Sequence, residues 1–406
     1  MRKIKRAIFL CATKFNRRDY HRFGSEIFQK RGYEVGVWDF SLWLKPEYFK
    51  NYTPPDPIEF DGYKLLENKV QIKRTLSGLS PNDIVVDPWK VITKHSFIHD
   101  ILSKKGVAFG EIIAALNPQK NTIPIHKSDN VYNNKLYLSL LKKLYLLLRV
   151  FFTKLLTKRL MFTKANIVRP LPNFIICGGK KAEQLVKERS IGNNSTDIIK
   201  AHALDYDRYL EENNKMQDVD IKKNYALLLD EDQPFHPDYL WHNIEPYCDP
   251  EKYYFEINRF FKCFEQKAGM LVVIAANPRV DYQKRGNPFD SRKIVVGNTI
   301  HYVKHADTIF CHMSTAKNFA VLYNKPIVFL DSDHYSLRCR ESIAGHASAL
   351  GQFPINISYK IDSSFINGRI DKKLYNSYIK SYIKEPGTPE KPVWDIFCDY
   401  LDKMNA

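Results

Sequence analysis

Apolar positions along the chain follow two rhythms, short β-prone runs and stretches in which hydrophobics recur every three to four residues. In the first half, residues 6–12 predict a strand, 20–30 a helix and 33–40 a second strand. Further strands are predicted at 83–86, 107–111 and 173–177, the last running through Gly178 and Gly179 into a helix over 181–189. A second series begins with a strand at 225–229 and helices over 237–246 and 249–267. It continues with strands at 270–275, near Val295 and at 308–311, a helix over 315–323 and a buried strand at 327–330. The tail, 372–404, is amphipathic and helical in places, with a break at "EPGTPEKP". Strands alternating with helices predict parallel sheets covered on both faces. Polarity rises over 211–222, which places a boundary between one α/β domain at 1–215 and another at 222–406. Two such domains face a cleft, and ligands bind outside the carboxyl ends of their strands.

Composition agrees with that size of structure. The chain has 406 residues and 44% apolar content, enough for two ordinary cores. Its seven cysteines are scattered without CxxC or Cys/His spacing, which predicts reduced thiols in the cytoplasm and argues against a disulfide framework or a zinc site. The apolar run at 8–12 is too short for a signal sequence, and no window approaches a membrane span. DxD triplets at Asp205, Asp218, Asp230 and Asp331 are what an Asp-rich chain contains by chance, and no metal is expected.

Charge changes the picture. The formal balance is +17, and no acid occurs from Asn130 to Ala182. Over about 130–165, Lys135, Lys142, Lys143, Arg149, Lys154, Lys158 and Lys164 fall on one half of a helical circumference, with Leu, Phe and Tyr opposite. This inserted segment predicts a peripheral association with an anionic inner-membrane surface. The plainer reading is ordinary amphipathic helices packed on the domain with a solvated basic face. No nucleic-acid motif accompanies the charge, and no nucleic-acid partner is expected.

Three strand ends carry candidate chemistry. "YALLLDEDQPFHP" delivers Asp230, Glu231 and Asp232 beyond a strand, with His236 close behind. Three consecutive acids repel one another, a poor choice for a purely structural turn. Asp232 projects farthest from the sheet and is the favoured reactive carboxylate, with Asp230 and Glu231 as competitors; the alternative is a helix cap flanked by solvated acids. "LVVIAANPR" ends in Asn277 and Arg279, an amide suited to a base or ribose and a guanidinium suited to a carboxylate or phosphate. "TIFCHMSTAKNFAVLYNKPIVFL" places His312, Ser314 and Thr315 between a strand and a helix, where backbone N–H groups and hydroxyls favour an anion; simple capping by either hydroxyl is the other reading.

With those residues in view, the second domain resembles the GT-B glycosyltransferases of bacterial surface polysaccharides. "HADTIFCHMSTAKNFAVLYNKPIVFLDSD" is similar to the family's donor-phosphate region, and "ANPR" looks like the His-Pro element of enzymes using CMP-activated ulosonic acids, with Asn277 standing where relatives have His. Within that group the chain looks most like the retaining β-Kdo transferases. The resemblance spans about 225–335 by motif and the first domain by architecture only. It implies a CMP-Kdo donor, a lipid-linked glycan acceptor of lipopolysaccharide O-antigen or capsule synthesis, no metal, and Asp232 as nucleophile. It also implies His236 or Glu231 in proton transfer, and Arg279 on the Kdo carboxylate. Two other readings remain open at this stage. One is an inverting transferase for a sialic- or pseudaminic-type sugar using a carboxylate base. The other is a nucleotide-binding assembly protein without catalysis.

Overall fold

The first strand, β1 (Arg6–Cys11), reads RAIFLC and is buried almost throughout, the signature of a central parallel strand. It pairs in parallel with β2 (Glu34–Asp39) on one side and β4 (Asp83–Val86) on the other, with Ile8 opposite both Gly36 and Val85. Adding β3 (Tyr63–Leu65), β5 (Ala108–Ile113), β6 (Phe174–Gly178) and β7 (Asp197–Ala201) gives a seven-stranded sheet of order β3-β2-β1-β4-β5-β6-β7. The second sheet has six strands: β8 (Tyr225–Leu229), β9 (Leu271–Ala275), β10 (Ile294–Val295), β11 (Thr308–Cys311), β12 (Ile327–Asp331) and β13 (Ile355–Asn356). Their order is β10-β9-β8-β11-β12-β13, again all parallel. The expected GT-B architecture, two Rossmann-like parallel-sheet domains, is therefore met. The computed structural model describes residues 3–118, 171–215, 220–221, 224–359 and 368–406. The basic segment at about 130–165, and with it the inner-membrane expectation, lies outside the described residues. Among the described residues no helix is long and apolar enough to cross a membrane.

Local sequence explains the elements that frame the cleft. The long helix Pro250–Ala268 starts with Asp249, whose carboxylate accepts from Lys252 N at 3.0 Å, has Pro at its first position, and ends at Gly269 in the left-handed region. Its face of Tyr253, Ile257, Phe260, Phe261 and Phe264 covers the second sheet.

Two expectations about elements change. The helix anticipated over 20–30 is broken into Arg17–Arg22 and Ser25–Lys30, because Gly24 adopts φ 62°. A Cβ on Gly24 would lie 2.2 Å from Trp394 Cδ1, so the glycine admits an indole that arrives from the far end of the chain. The second difference follows from the first. The terminal helix Val393–Asn405, expected with the second domain, packs into the core of the first sheet through Val393, Trp394, Phe397 and Leu401. Trp394 meets Phe9 edge-on at 5.0 Å, and its Nε1 donates to the Arg22 carbonyl at 2.8 Å. The short edge strands β3, β7 and β13 were not anticipated: their residues are largely exposed or half-buried and carry little alternation.

Candidate active site

Strand order locates the site before any side chain is considered. In the second sheet the chain runs from β8 out to β9 and β10, then crosses back to β11; the crevice between β8 and β11 is the switch point of a doubly wound sheet. In the first sheet the equivalent point lies between β1 and β4. Residues following β1 (Thr13, Lys14) and β4 (Trp89) line one cavity of about 860 Å³, together with Arg279 and Thr315 from the second half. Both switch points thus open on the same cleft.

Several polar atoms buried along that cleft have no hydrogen-bond partner among the described residues. Ser25 Oγ, Tyr52 Oη and Trp89 Nε1 belong to the first half, and Arg279 Nη2 and Asn298 Oδ1 to the second. Burial raises the Tyr52 pKa, and Arg279, 5.8 Å from the ring centroid across the cleft, pulls against that rise without closing a hydrogen bond of good geometry. Buried polar groups are normally satisfied, so a concentration of unsatisfied ones around one cavity marks a place where a ligand completes them. The helix Arg17–Arg22 adds Asp19 to the wall. This acid is buried, and none of the described hydrogen bonds engages its carboxylate. Burial raises its pKa, against the pull of Arg18, Arg22 and Arg279.

The three acids beyond β8 take three different positions. Asp230 is a tie: its carboxylate accepts from Tyr282 Oη at 2.6 Å, Asp232 N at 2.9 Å and Asn277 N at 3.4 Å. Burial pushes its pKa up to about 6. Glu231 reaches the end of β11, where Oε2 accepts from Met313 N at 2.8 Å; burial raises it to about 7, against the field of Lys317. Among the described residues, Asp232 is the one of the three paired with a guanidinium. Arg285 Nη1 donates to Oδ2 at 2.7 Å while Nη2 stands 2.6 Å from Oδ1, and Asp232 is 1% exposed with φ 52°, a left-handed backbone uncommon outside glycine. Strained backbone of this kind collects at functional sites.

The remaining predicted residues divide in the same way. Asn277 donates from Nδ2 to the Glu231 carbonyl at 3.1 Å and accepts from Arg279 N at 3.0 Å, so it organises the loop and has little left for a base. Arg279 spends Nη1 on Asp238 at 2.7 Å, keeping Nη2 for the cleft. His236 accepts at Nδ1 from Asp238 N at 3.2 Å, which leaves Nε2 as the N–H of the neutral ring; burial lowers its pKa. His312 is fully buried behind the site against Tyr335 Oη at 3.1 Å, and burial drops its pKa to about 3, so it is neutral. Ser314 Oγ accepts from Ala316 N at 3.3 Å, a turn ahead of the helix and not the cap that the plainer reading expects, since the capping residue is Ala316 with no side-chain bond, whereas Thr315 is exposed on the cleft wall.

Three residues escaped the sequence reading. Lys317 is fully buried, donates to the Ser314 carbonyl at 3.3 Å, and sits in the field of Glu231 and Asp205; burial lowers its pKa and those acids oppose the change. A lysine next to Ala316 on a helix otherwise polar only at Asn318 was the available signal. Arg285 and Tyr52 gave none, because their significance lies in contacts made across the fold.

The sequence matches no protein-family model and no curated protein. Among solved structures, UDP-GlcNAc 2-epimerase from Methanocaldococcus jannaschii is 11% identical, with a TM-score of 0.48 over 98% of this chain and 99% of that one. The S. aureus MnaA–UDP co-structure is 14% identical, with a TM-score of 0.49 over 99% and 97%. CalG4, the calicheamicin glycosyltransferase, is 11% identical, with a TM-score of 0.46 over the full length of both chains. Likeness at this level, with each TM-score below 0.5, carries nothing about this chain's chemistry.

Proposed function

We propose that the chain is a glycosyltransferase that takes a CMP-activated ulosonic acid, Kdo in the first instance, and transfers it with retention to a hydroxyl of a lipid-linked glycan. The observation that carries the reading is the cleft. Two switch points meet there, and buried polar atoms from both walls await a ligand. Such a site suits a donor held mainly by the second half and an acceptor presented by the first.

The acids give the reading its mechanism. A nucleophile must offer an ionised carboxylate at neutral pH, and Asp232 is the one of the three held against a guanidinium. In the first step an Asp232 oxygen bonds to the anomeric carbon, the bond from that carbon to the phosphate oxygen breaks, and CMP leaves with the electron pair. Thr315 and the buried Lys317 support the developing charge on the phosphate without a metal. In the second step the acceptor oxygen bonds to the same carbon from the opposite side, the Asp232 ester bond breaks, and the carboxylate is restored. The hydroxyl proton passes to Glu231, whose pKa of about 7 suits a group that both takes and gives protons. Two inversions give net retention.

Asp19 favours a second reading, direct displacement. It is a cleft-lining acid with a free carboxylate, positioned to act as general base for the acceptor without bonding to the sugar.

Tyr52→Phe tests the part played by the cleft. Removing a buried hydroxyl that has no hydrogen-bond partner among the described residues should leave stability unchanged or slightly higher, while weakening donor binding by about tenfold if the ligand satisfies it. Calorimetric titration with CMP-Kdo, alongside thermal unfolding, reads both. Unchanged affinity would remove Tyr52 from the donor site and weaken the case for a ligand that spans both walls.

A further inference from the structure

Asp232 is poorly placed to act as it stands. Oδ2 accepts from Arg285 Nη1, Oδ1 lies 2.6 Å from Nη2 without a hydrogen bond of good geometry, and the side chain is sealed from solvent. An oxygen that is to form a bond to carbon must first be released.

The cover has partners besides Asp232. Arg285 closes the four-residue helix Tyr282–Arg285, and its side chain is 30% exposed. The guanidinium lies 4.7 Å from the Tyr282 ring centroid and 5.0 Å from that of Phe235, and Nη2 donates to Tyr254 Oη at 3.2 Å. Aromatic faces hold a cation over a range of positions, unlike a carboxylate, which fixes it. Gly286 follows with φ 89° and open space where a Cβ would stand, a joint at the base of the moving residue.

We propose that Arg285 is a substrate-displaced cover on the Asp232 carboxylate, and that the carboxylate of the donor sugar takes the guanidinium over. This rests on the functional reading above and adds how the site selects its substrate class. An ulosonic acid carries its carboxylate on the same carbon that Asp232 is to attack. A guanidinium that lets go of Asp232 and grips that group bidentately therefore stays within reach, exchanges one fork-shaped ion pair for another, and brings the reacting carbon to the freed oxygen. The exchange leaves Asp232 as an unpaired buried carboxylate, a costly state that its bond to the reacting carbon relieves. A donor with hydrogen in place of that carboxylate offers nothing to exchange, so Asp232 stays covered. Arg279 is less suited to the carboxylate than the sequence implies, because one arm of its fork is committed to Asp238.

The test follows the covalent step itself, by quenched-flow intact-protein mass on the parent, Arg285→Lys and Arg285→Gln mixed with CMP-Kdo. Calorimetry with CMP alone reports nucleotide affinity. The proposal expects Arg285→Gln to form the adduct at least about a hundredfold more slowly, the loss typical of removing one partner of a buried charge pair, with CMP affinity within about threefold of the parent. Arg285→Lys should recover part of the rate. Because losing Arg285 leaves Asp232 buried without a partner, the glutamine variant can fail to fold. The parent protein with the carboxamide analogue of CMP-Kdo then carries the test, and the analogue should react at least about a hundredfold more slowly than the acid. Equal adduct rates in the parent and Arg285→Gln, or equal rates for acid and amide, would overturn the proposal alone. Absence of adduct on the parent would overturn the functional reading and this proposal with it.

Discussion

Glu231 shows how burial sets the behaviour of a single residue. Its carboxyl has a pKa near 7 in the fold against about 4.3 in an unfolded chain, so between those values the native state holds a proton that the unfolded state has lost. Stability from this group is greatest below pH 4 and declines as pH rises towards 7. Asp230, at about 6, adds to the same slope. Glu231→Gln keeps an acceptor for Met313 N while removing the titration, so it should flatten the decline. At pH 8 it should exceed the parent by on the order of 2 kcal/mol in urea unfolding, with little gain at pH 4.5. An unchanged slope would show that Glu231 is ionised in the fold across this range, and would remove it as the proton carrier. At this scale the sequence was partly legible. Three acids at a strand end announced chemistry, but their division of labour was hidden, because Tyr282, Met313 and Arg285 meet them only after folding, the last across 53 positions.

At the scale of elements, the central strands were readable because a parallel strand buried on both faces is a short unbroken apolar run. β1, β8, β11 and β12 lie where the pattern placed them. What the pattern missed was decided by partners. The edge strands β3, β7 and β13 exist because a neighbour pairs with them, and the terminal helix belongs to the first sheet because Gly24 leaves room for Trp394. Trp394→Ala should therefore destabilise the protein by about 3–5 kcal/mol, as expected for emptying a buried indole site. The loss should appear as faster hydrogen exchange in Arg17–Arg22 and β1, elements of the first sheet's half of the cleft. If protection fell only around the second sheet, the terminal helix would not be the brace described here.

For the whole molecule, the two sheets matter through what they bring together. Neither switch point alone makes a site. Arg279 and Thr315 from one half face Tyr52, Trp89 and Asp19 from the other across one cavity, and the β8 acids lie at the carboxyl edge of the second sheet. The central claim is that this assembly passes an ulosonic sugar through Asp232. Intact-protein mass after incubation with CMP-Kdo tests it most directly, on the parent and on Asp232→Asn. A gain of one Kdo residue is expected on the parent, mapped by peptide digestion to Asp232, and no gain on Asp232→Asn. Turnover of CMP-Kdo on to acceptor with no adduct on the parent, and with activity surviving in Asp232→Asn, would contradict it and transfer the case to direct displacement with Asp19 as base.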